Sequence, residues 1–168
     1  IRLFAEMTAL ENVMVGRHVR TRSGLFGAIF RTSGFKAEED AIAERAQQLL
    51  DYVGIGKYAN FRSRTLSYGD QRRLEIARAL ATDPQLIALD EPAAGMNATE
   101  KVALRELIDR IRKDNRTILL IEHDVKLVMG LCDRVTVLDY GKQIAEGTPA
   151  EVQKNEKVIE AYLGTGGH

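Results

Sequence analysis

Two adjacent carboxylates, Asp90 and Glu91, close the apolar run Leu86-Ile87-Ala88-Leu89 and are followed at once by Pro92. An apolar strand ending in two acids puts oxygen ligands for Mg²⁺ and a group able to polarise a water at one sheet edge. Asp90 is assigned the metal, directly or through water. Glu91 is assigned the water, a general-base role worth ~10²–10⁴ in rate. Pro92 ends the strand and keeps the following loop out of helix. In isolation Asp-Glu-Pro is an ordinary solvated turn; the strand before it and a second motif upstream give it chemical meaning. That motif, Leu66-Ser67-Tyr68-Gly69-Asp70-Gln71-Arg72-Arg73, sets a serine and a glycine at the start of a helix. Unpaired N–H groups and the positive dipole end suit an anion there. Ser67 and Asp70 also have the spacing of a capping box, so a plain helix start accounts for most of the motif. Gly69 is the exception: it costs ~1 kcal/mol against alanine in a helix, and predicts close approach of a phosphate to the backbone. Arg72 and Arg73 either support that anion or lie solvated.

His123 follows a second apolar run, Thr117–Ile121, within Ile121-Glu122-His123-Asp124. In an open parallel sheet, ligands collect beyond the carboxyl ends of the strands. His123 is therefore expected beside Glu91, placed to hydrogen-bond a terminal phosphate or the attacking water. His18 and His168 have no such setting and read as solvated. A phosphate cradle of the form Gly-x-x-x-x-Gly-Lys-Ser/Thr does not occur. Gly56-Lys57 is followed by Tyr58, and Gly141-Lys142 by Gln143. The chain carries the metal and water groups of a phosphate-handling site without the cradle, and is expected to be inactive by itself.

These residues need elements to position them. At 168 residues and 45% hydrophobic, the chain is long enough to bury a core within one domain. Its 24 basic and 24 acidic side chains cancel, which argues against a bulk electrostatic nucleic-acid binder. Cys132, without a partner cysteine, reads as a buried, reduced thiol of a cytosolic protein. No apolar run approaches the ~20 residues needed to cross a bilayer. No signal peptide is visible, and the opening Ile1-Arg2-Leu3-Phe4 without Met predicts an internal cut.

Thr8-Ala9-Leu10-Glu11 predicts a capped short helix through Val15, followed by a basic and apolar segment, Gly16–Lys36. Glu38–Val53 has a helical stripe of Ile42, Ala46, Leu49, Leu50 and Val53, ended by Gly54. Gly54–Thr65 reads as a linker. Asp70–Thr82 is helical, with Leu74, Ala77 and Ala81 on one stripe, and stops at Asp83-Pro84. Asn97-Ala98-Thr99-Glu100 caps a helix through Lys113 with a stripe of Val102, Leu107, Ile108 and Ile111. After Thr117–Ile121 comes a helix through Leu131. Next is a hairpin of Arg134–Leu138 and Lys142–Glu146 around Asp139-Tyr140-Gly141. Thr148-Pro149-Ala150-Glu151 opens a final helix, and Gly164–His168 reads as a frayed tail. Leu86–Leu89 and Thr117–Ile121 lack alternation, which predicts strands covered on both faces in a parallel α/β sheet.

In chain order, Leu66–Gln71 resembles the signature motif of the ABC ATPases, Leu86–Glu91 their Walker B, Ala94-Gly95-Met96-Asn97 their D-loop and His123 their switch histidine. The resemblance covers nearly all of the chain and implies an ABC nucleotide-binding domain truncated at its N-terminus. The implied fold class is α/β: a partial P-loop NTPase fold, the C-terminal portion of a mainly parallel sheet with flanking helices, plus an α-helical signature-motif subdomain. Residues 1–83 would hold the insert and helical subdomain, 84–147 the core portion, and 148–168 a C-terminal helix and tail.

Tyr68 and Asp70 depart from the common signature, and Asn97 from the usual D-loop aspartate. Tyr68, Ala93-Ala94, Asn97, the Gly16–Phe35 insert and the ending from Gly147-Thr148-Pro149 to Tyr162-Leu163-Gly164 are similar to ATPases of branched-chain amino acid importers. The resemblance implies ATP and Mg²⁺ as cofactors, Glu91 and His123 as catalytic groups, and Asp90 as the metal ligand. It implies a second ATPase subunit, identical or not, toward whose nucleotide Ser67, Gly69, Asp70 and Asn97 face. It further implies membrane permease subunits docking on Gly16–Phe35, where Leu25, Phe26, Ile29 and Phe30 offer apolar contact and Arg20, Arg22 and Arg31 a positive rim. The protein would sit on the cytoplasmic face of the inner membrane and bind no nucleic acid. The alternatives are a lipopolysaccharide-export ABC ATPase, a soluble ABC ATPase acting on nucleic acid or ribosomes, and a non-catalytic binding module.

Overall fold

Thr8 and Glu11 set the first helix. Thr8 Oγ1 accepts the Glu11 N–H at 3.1 Å, and the Glu11 carboxylate accepts the Thr8 N–H at 2.7 Å. The Glu11 carboxyl is held below its usual range, first by that backbone N–H and then by the Thr8 hydroxyl. The computed structural model describes residues 3–18 and 33–163. Most of the Gly16–Phe35 insert, including Arg20, Arg22, Leu25, Phe26, Ile29, Phe30 and Arg31, lies outside the described residues, as does the Gly164–His168 tail. The chain divides into two units, Ile1–Ile87 with Ala94–Leu119, and Ala88–Ala93 with Leu120–His168.

In the first unit, α1 runs over Ala9–His18, past the expected end at Val15. Gly16 lies within the helix, at a point of close helix approach. A Cβ on Gly16 would lie 2.4 Å from the carbonyl oxygen of Arg78. α2 spans Ser33–Tyr52 and so begins ahead of the expected Glu38, since Lys36-Ala37-Glu38-Glu39 are good helix formers. Its stripe is buried as expected, Leu50 completely. Gly54 closes it at φ +83°, with the Ile55 N–H reaching back to the Leu50 carbonyl at 2.9 Å, a left-handed C-terminal cap that glycine adopts without strain.

Gly54–Thr65 is not a linker. It holds two short 3₁₀ turns, Gly56–Tyr58 and Ser63–Thr65, and buries Ile55 and Ala59. The Ala9 and Leu10 N–H groups donate to the Phe61 and Ala59 carbonyls at 2.9 Å each. Asn12, wholly buried, accepts the Phe4 N–H at 2.9 Å and donates to the Phe4 and Thr8 carbonyls at 3.1 and 2.9 Å. Its amide is satisfied, so its burial costs little. No apolar period marks the 54–65 segment, because backbone bonds hold it.

α3 spans Tyr68–Leu80 and buries Leu74, Ile76, Ala77 and Leu80. Asp83, past its end, binds Arg17 and lies 3.7 Å from Arg45 and 3.9 Å from Arg116. β1, Leu86–Asp90, pairs with β2, Thr117–Ile121. The Thr117 N–H donates to the Gln85 carbonyl at the start, and the Glu91 N–H to the Ile121 carbonyl at the end. Start meets start and end meets end, so the strands are parallel. They are joined through α4, Ala98–Lys113, which buries Leu104, Leu107, Ile108 and Ile111. Val102, expected on that stripe, is 58% exposed; Leu104 completes the three-and-four spacing instead. The strands are also not covered on both faces among the described residues. Ile87 and Leu89 are buried, while Leu86, Leu119 and Ile121 are each more than half exposed. A continuous apolar run tells that both faces suit burial, not what covers them.

In the second unit, Asp124 caps α5, Val125–Leu131. β3, Val135–Asp139, and β4, Lys142–Gly147, form the expected antiparallel hairpin, with a register shift after Val137. Tyr140 and Gly141 both take positive φ in its turn, as a two-residue hairpin of this hand requires. The expected final helix is broken in two. α6, Pro149–Val152, has a full Thr148/Glu151 capping box, and Asn155 recaps α7, Glu156–Val158. Val135, Val152 and Val158 form the core here, with Cys132 half-buried against it.

The Gly16 contact yields a prediction. Gly16→Ala gains helix propensity, but the backbone carbonyl of Arg78 has no rotamer to yield with. A net loss on the order of 1–2 kcal/mol is expected, read as a lowered denaturation midpoint at unchanged slope in the full-length protein.

Candidate functional site

The two strand ends bring their polar residues together. Glu91 Oε1 lies 3.3 Å from His123 Nδ1, and both side chains are well exposed. The juxtaposition follows from the parallel pairing, since Glu91 is the first residue after β1 and His123 the second after β2. Glu91 has φ +45°, a region a glutamate rarely enters. Asp90 stands exposed at the last position of β1. Among the described residues no group of three or more metal-ligating side chains gathers. A single exposed aspartate fits Mg²⁺ all the same, because that ion is commonly held by one or two carboxylates together with substrate phosphates.

Glu122, which sequence reasoning passed over, is tied into the same place. Its Oε1 accepts the Ala93 N–H at 2.8 Å, and its Oε2 the His123 N–H at 3.2 Å. The available signal was an acid between a strand end and a candidate histidine.

The second group belongs to the first unit. Ser67 is the N-cap of α3: its hydroxyl accepts the Asp70 N–H at 3.2 Å and donates to Asp70 Oδ2 at 2.8 Å. Asp70 is thus bound to the serine whose motif it interrupts. Gly69 has a packing rationale that the sequence did not reveal. A Cβ there would lie 2.9 Å from Glu100 Oε1. Glu100 in turn accepts the Asn97 N–H at 2.9 Å, while Asn97 Oδ1 accepts the Glu100 N–H at 3.0 Å. Asn97 therefore caps α4, and its capping partner lies over the start of α3. Tyr68 sits against Gly95, whose added Cβ would be 3.3 Å from the ring. Arg72 is committed as well: it donates to the Tyr68 hydroxyl at 2.8 Å and to Glu75 at 2.7 Å.

Similar proteins give these geometries a setting. A family profile described as ABC transporter matches residues 1–94, and one described as branched-chain amino acid ATP-binding cassette transporter matches residues 142–168. The chain is 48% identical over 165 residues to the high-affinity branched-chain amino acid transport ATP-binding protein LivG of Salmonella typhimurium, covering 98% of this chain and 65% of that protein. The chain thus spans a little under two thirds of the length of that relative. It is 36% identical over 121 residues to the lipopolysaccharide export system ATP-binding protein LptB of Escherichia coli, covering 72% of this chain and 50% of that protein. Among solved structures, the ADP conformation of an ATP-binding cassette of an ABC transporter superimposes with a TM-score of 0.76 at 29% identity, over 95% of this chain and 64% of that one. This likeness bears out the expected α/β, partial P-loop NTPase fold.

The Gly69–Glu100 contact is testable. Gly69→Ala displaces Glu100 from the Asn97 N–H and so removes half of the capping box. Its cost, up to about 1 kcal/mol, should largely disappear in a Glu100→Ala background. A double-mutant cycle on unfolding free energy reads this coupling; full additivity would show that the two residues do not meet.

Proposed function

We propose, on the premise that this chain belongs to the ABC transporter family, that it serves as the ATP-binding and ATP-hydrolysing subunit that powers an importer of branched-chain amino acids. The observation that carries the reading is the 3.3 Å approach of Glu91 to His123 at the paired ends of β1 and β2. In this reading Glu91 takes a proton from the water that attacks the γ-phosphorus as its bond to the bridging oxygen breaks and ADP leaves, and His123 hydrogen-bonds the γ-phosphate. Asp90 holds Mg²⁺, which neutralises phosphate charge when bound. The hydroxyl of Ser67 and the backbone at Gly69 serve nucleotide bound by a second ATPase subunit, with Asp70 and Asn97 beside them. The Ser67 hydroxyl then exchanges its carboxylate partner for a phosphate oxygen.

Among the described residues no helix is long and apolar enough to cross a membrane. In this reading, attachment to the cytoplasmic face of the inner membrane runs through permease subunits, with Gly16–Phe35 as the docking segment. The amino-acid importer is favoured over lipopolysaccharide export by the more complete match to the former class of relative and by the 142–168 ending.

Two measurements test the reading. Glu91→Gln in the full-length protein should lower kcat for ATP hydrolysis by on the order of 10²–10⁴ with ATP binding retained; a wild-type rate would remove Glu91 from the chemistry. The 168-residue chain has no Gly-x-x-x-x-Gly-Lys-Ser/Thr cradle, so by itself it should show no steady turnover, and measurable turnover would contradict the reading of the site.

A further inference from the structure

Glu91, Pro92 and Ala93 form the turn that carries the exposed carboxylate out of β1. Pro92 has no N–H, so Glu91 and Ala93 supply its only backbone donors. Both are bound to the end of β2: the Glu91 N–H to the Ile121 carbonyl, and the Ala93 N–H to Glu122 Oε1, each at 2.8 Å. Ala93 is 2% exposed, so its N–H would lack a ready partner if the carboxylate were lost. The other Glu122 oxygen accepts the His123 N–H at 3.2 Å. One carboxylate therefore holds backbone on both sides of the Glu91–His123 pair. Glu91 itself stands at φ +45°, a conformation that persists only where its surroundings over-determine it.

We infer that Glu122 is a positioning residue, whose carboxylate fixes the turn after β1 so that Glu91 faces His123. The inference rests on the hydrolytic reading above for its kinetic consequence. The carboxylate acts as an acceptor, and an ionised acceptor makes the stronger bond. It touches no reacting atom, so its loss displaces Glu91 rather than removing a proton carrier.

The test uses the full-length protein and steady-state ATP hydrolysis. Glu122→Ala should lower kcat by about 10–100-fold, as expected for misplaced reacting groups, with the KM for ATP changed less than about 3-fold. Glu122→Gln keeps an oxygen for the Ala93 N–H and should recover to within about 5-fold of the parent rate. Amide hydrogen exchange at Ala93 should quicken in the alanine variant and stay slow in the glutamine variant. An alanine variant with the parent kcat overturns the inference. So does a glutamine variant as impaired as the alanine one, since the charge itself would then be acting. Loss of ATP binding in step with kcat in both variants also overturns it, because the residue would then be merely structural. Glu91→Gln, run alongside, separates the two readings. If it is inactive while Glu122→Ala is fully active, the inference alone fails. If Glu91→Gln is fully active, the hydrolytic reading fails, and the exchange rate at Ala93 still decides whether Glu122 holds the turn.

Discussion

The backbone bond from the Glu91 N–H to the Ile121 carbonyl, 2.8 Å long, is the constraint on which the rim depends. It extends the parallel pairing one residue beyond β1 and sets the register in which Glu91 and His123 meet. A slip of one residue would turn every side chain of a strand to the opposite face. It would exchange the buried Ile87 and Leu89 for Leu86 and Ala88, and carry the acid away from the imidazole. Burial of alternate side chains thus fixes the register, and the register delivers the polar pair. The polar pair is positioned by apolar residues that do not touch it.

The signature turn relies on a different device. Ser67 and Asn97 each cap a helix, and each is followed three residues later by an acid that binds back to it. Capping alone would leave α3 and α4 independent. They meet where Glu100, while closing its own box, reaches over residue 69, so that a Cβ there would lie 2.9 Å from its carboxylate oxygen. Tyr68 against Gly95 makes a second contact between the same two helix starts. Gly69 therefore answers to a neighbour distant in sequence, while Gly95 also takes φ +72°, which glycine adopts without strain. Changes at Gly69 bear on the geometry at Asn97 as much as on any anion approaching from outside.

What the sequence made legible were relations with a short period or a fixed polarity. The stripe of α2, the capping boxes at Thr8, Asn97 and Thr148, the hairpin turn, and the convergence of Glu91 with His123 all follow from spacing within an element or from the ends of parallel strands. What stayed hidden were contacts between elements. The expected end at Val15 missed such a contact, since the lack of a side chain at Gly16 admits the Arg78 carbonyl. Residues 54–65 looked like a linker because nothing in their composition announces that the first turn of α1 and the Met7 carbonyl bind them. The uncovered face of β1 and β2 could not be foreseen, since an apolar run is compatible with burial on either side.

Backbone conformation gives a separate reason to place function at Glu91. Four non-glycine residues among those described have positive φ: Asp83, Glu91, Asn115 and Tyr140. Asp83 and Asn115 follow the C-terminal ends of α3 and α4, where a left-handed residue commonly ends a helix and where Asp and Asn tolerate it best. Tyr140 stands before Gly141 in a hairpin turn that needs positive φ at both positions. Local turn chemistry accounts for these three. Glu91 ends no helix, belongs to no hairpin, and precedes a proline that further restricts its backbone. Glycine or asparagine would fill such a position at less cost, so the glutamate side chain must answer to something other than the turn. The rim it shares with His123 supplies that reason, because only there does a longer carboxylate reach a partner the turn itself does not require.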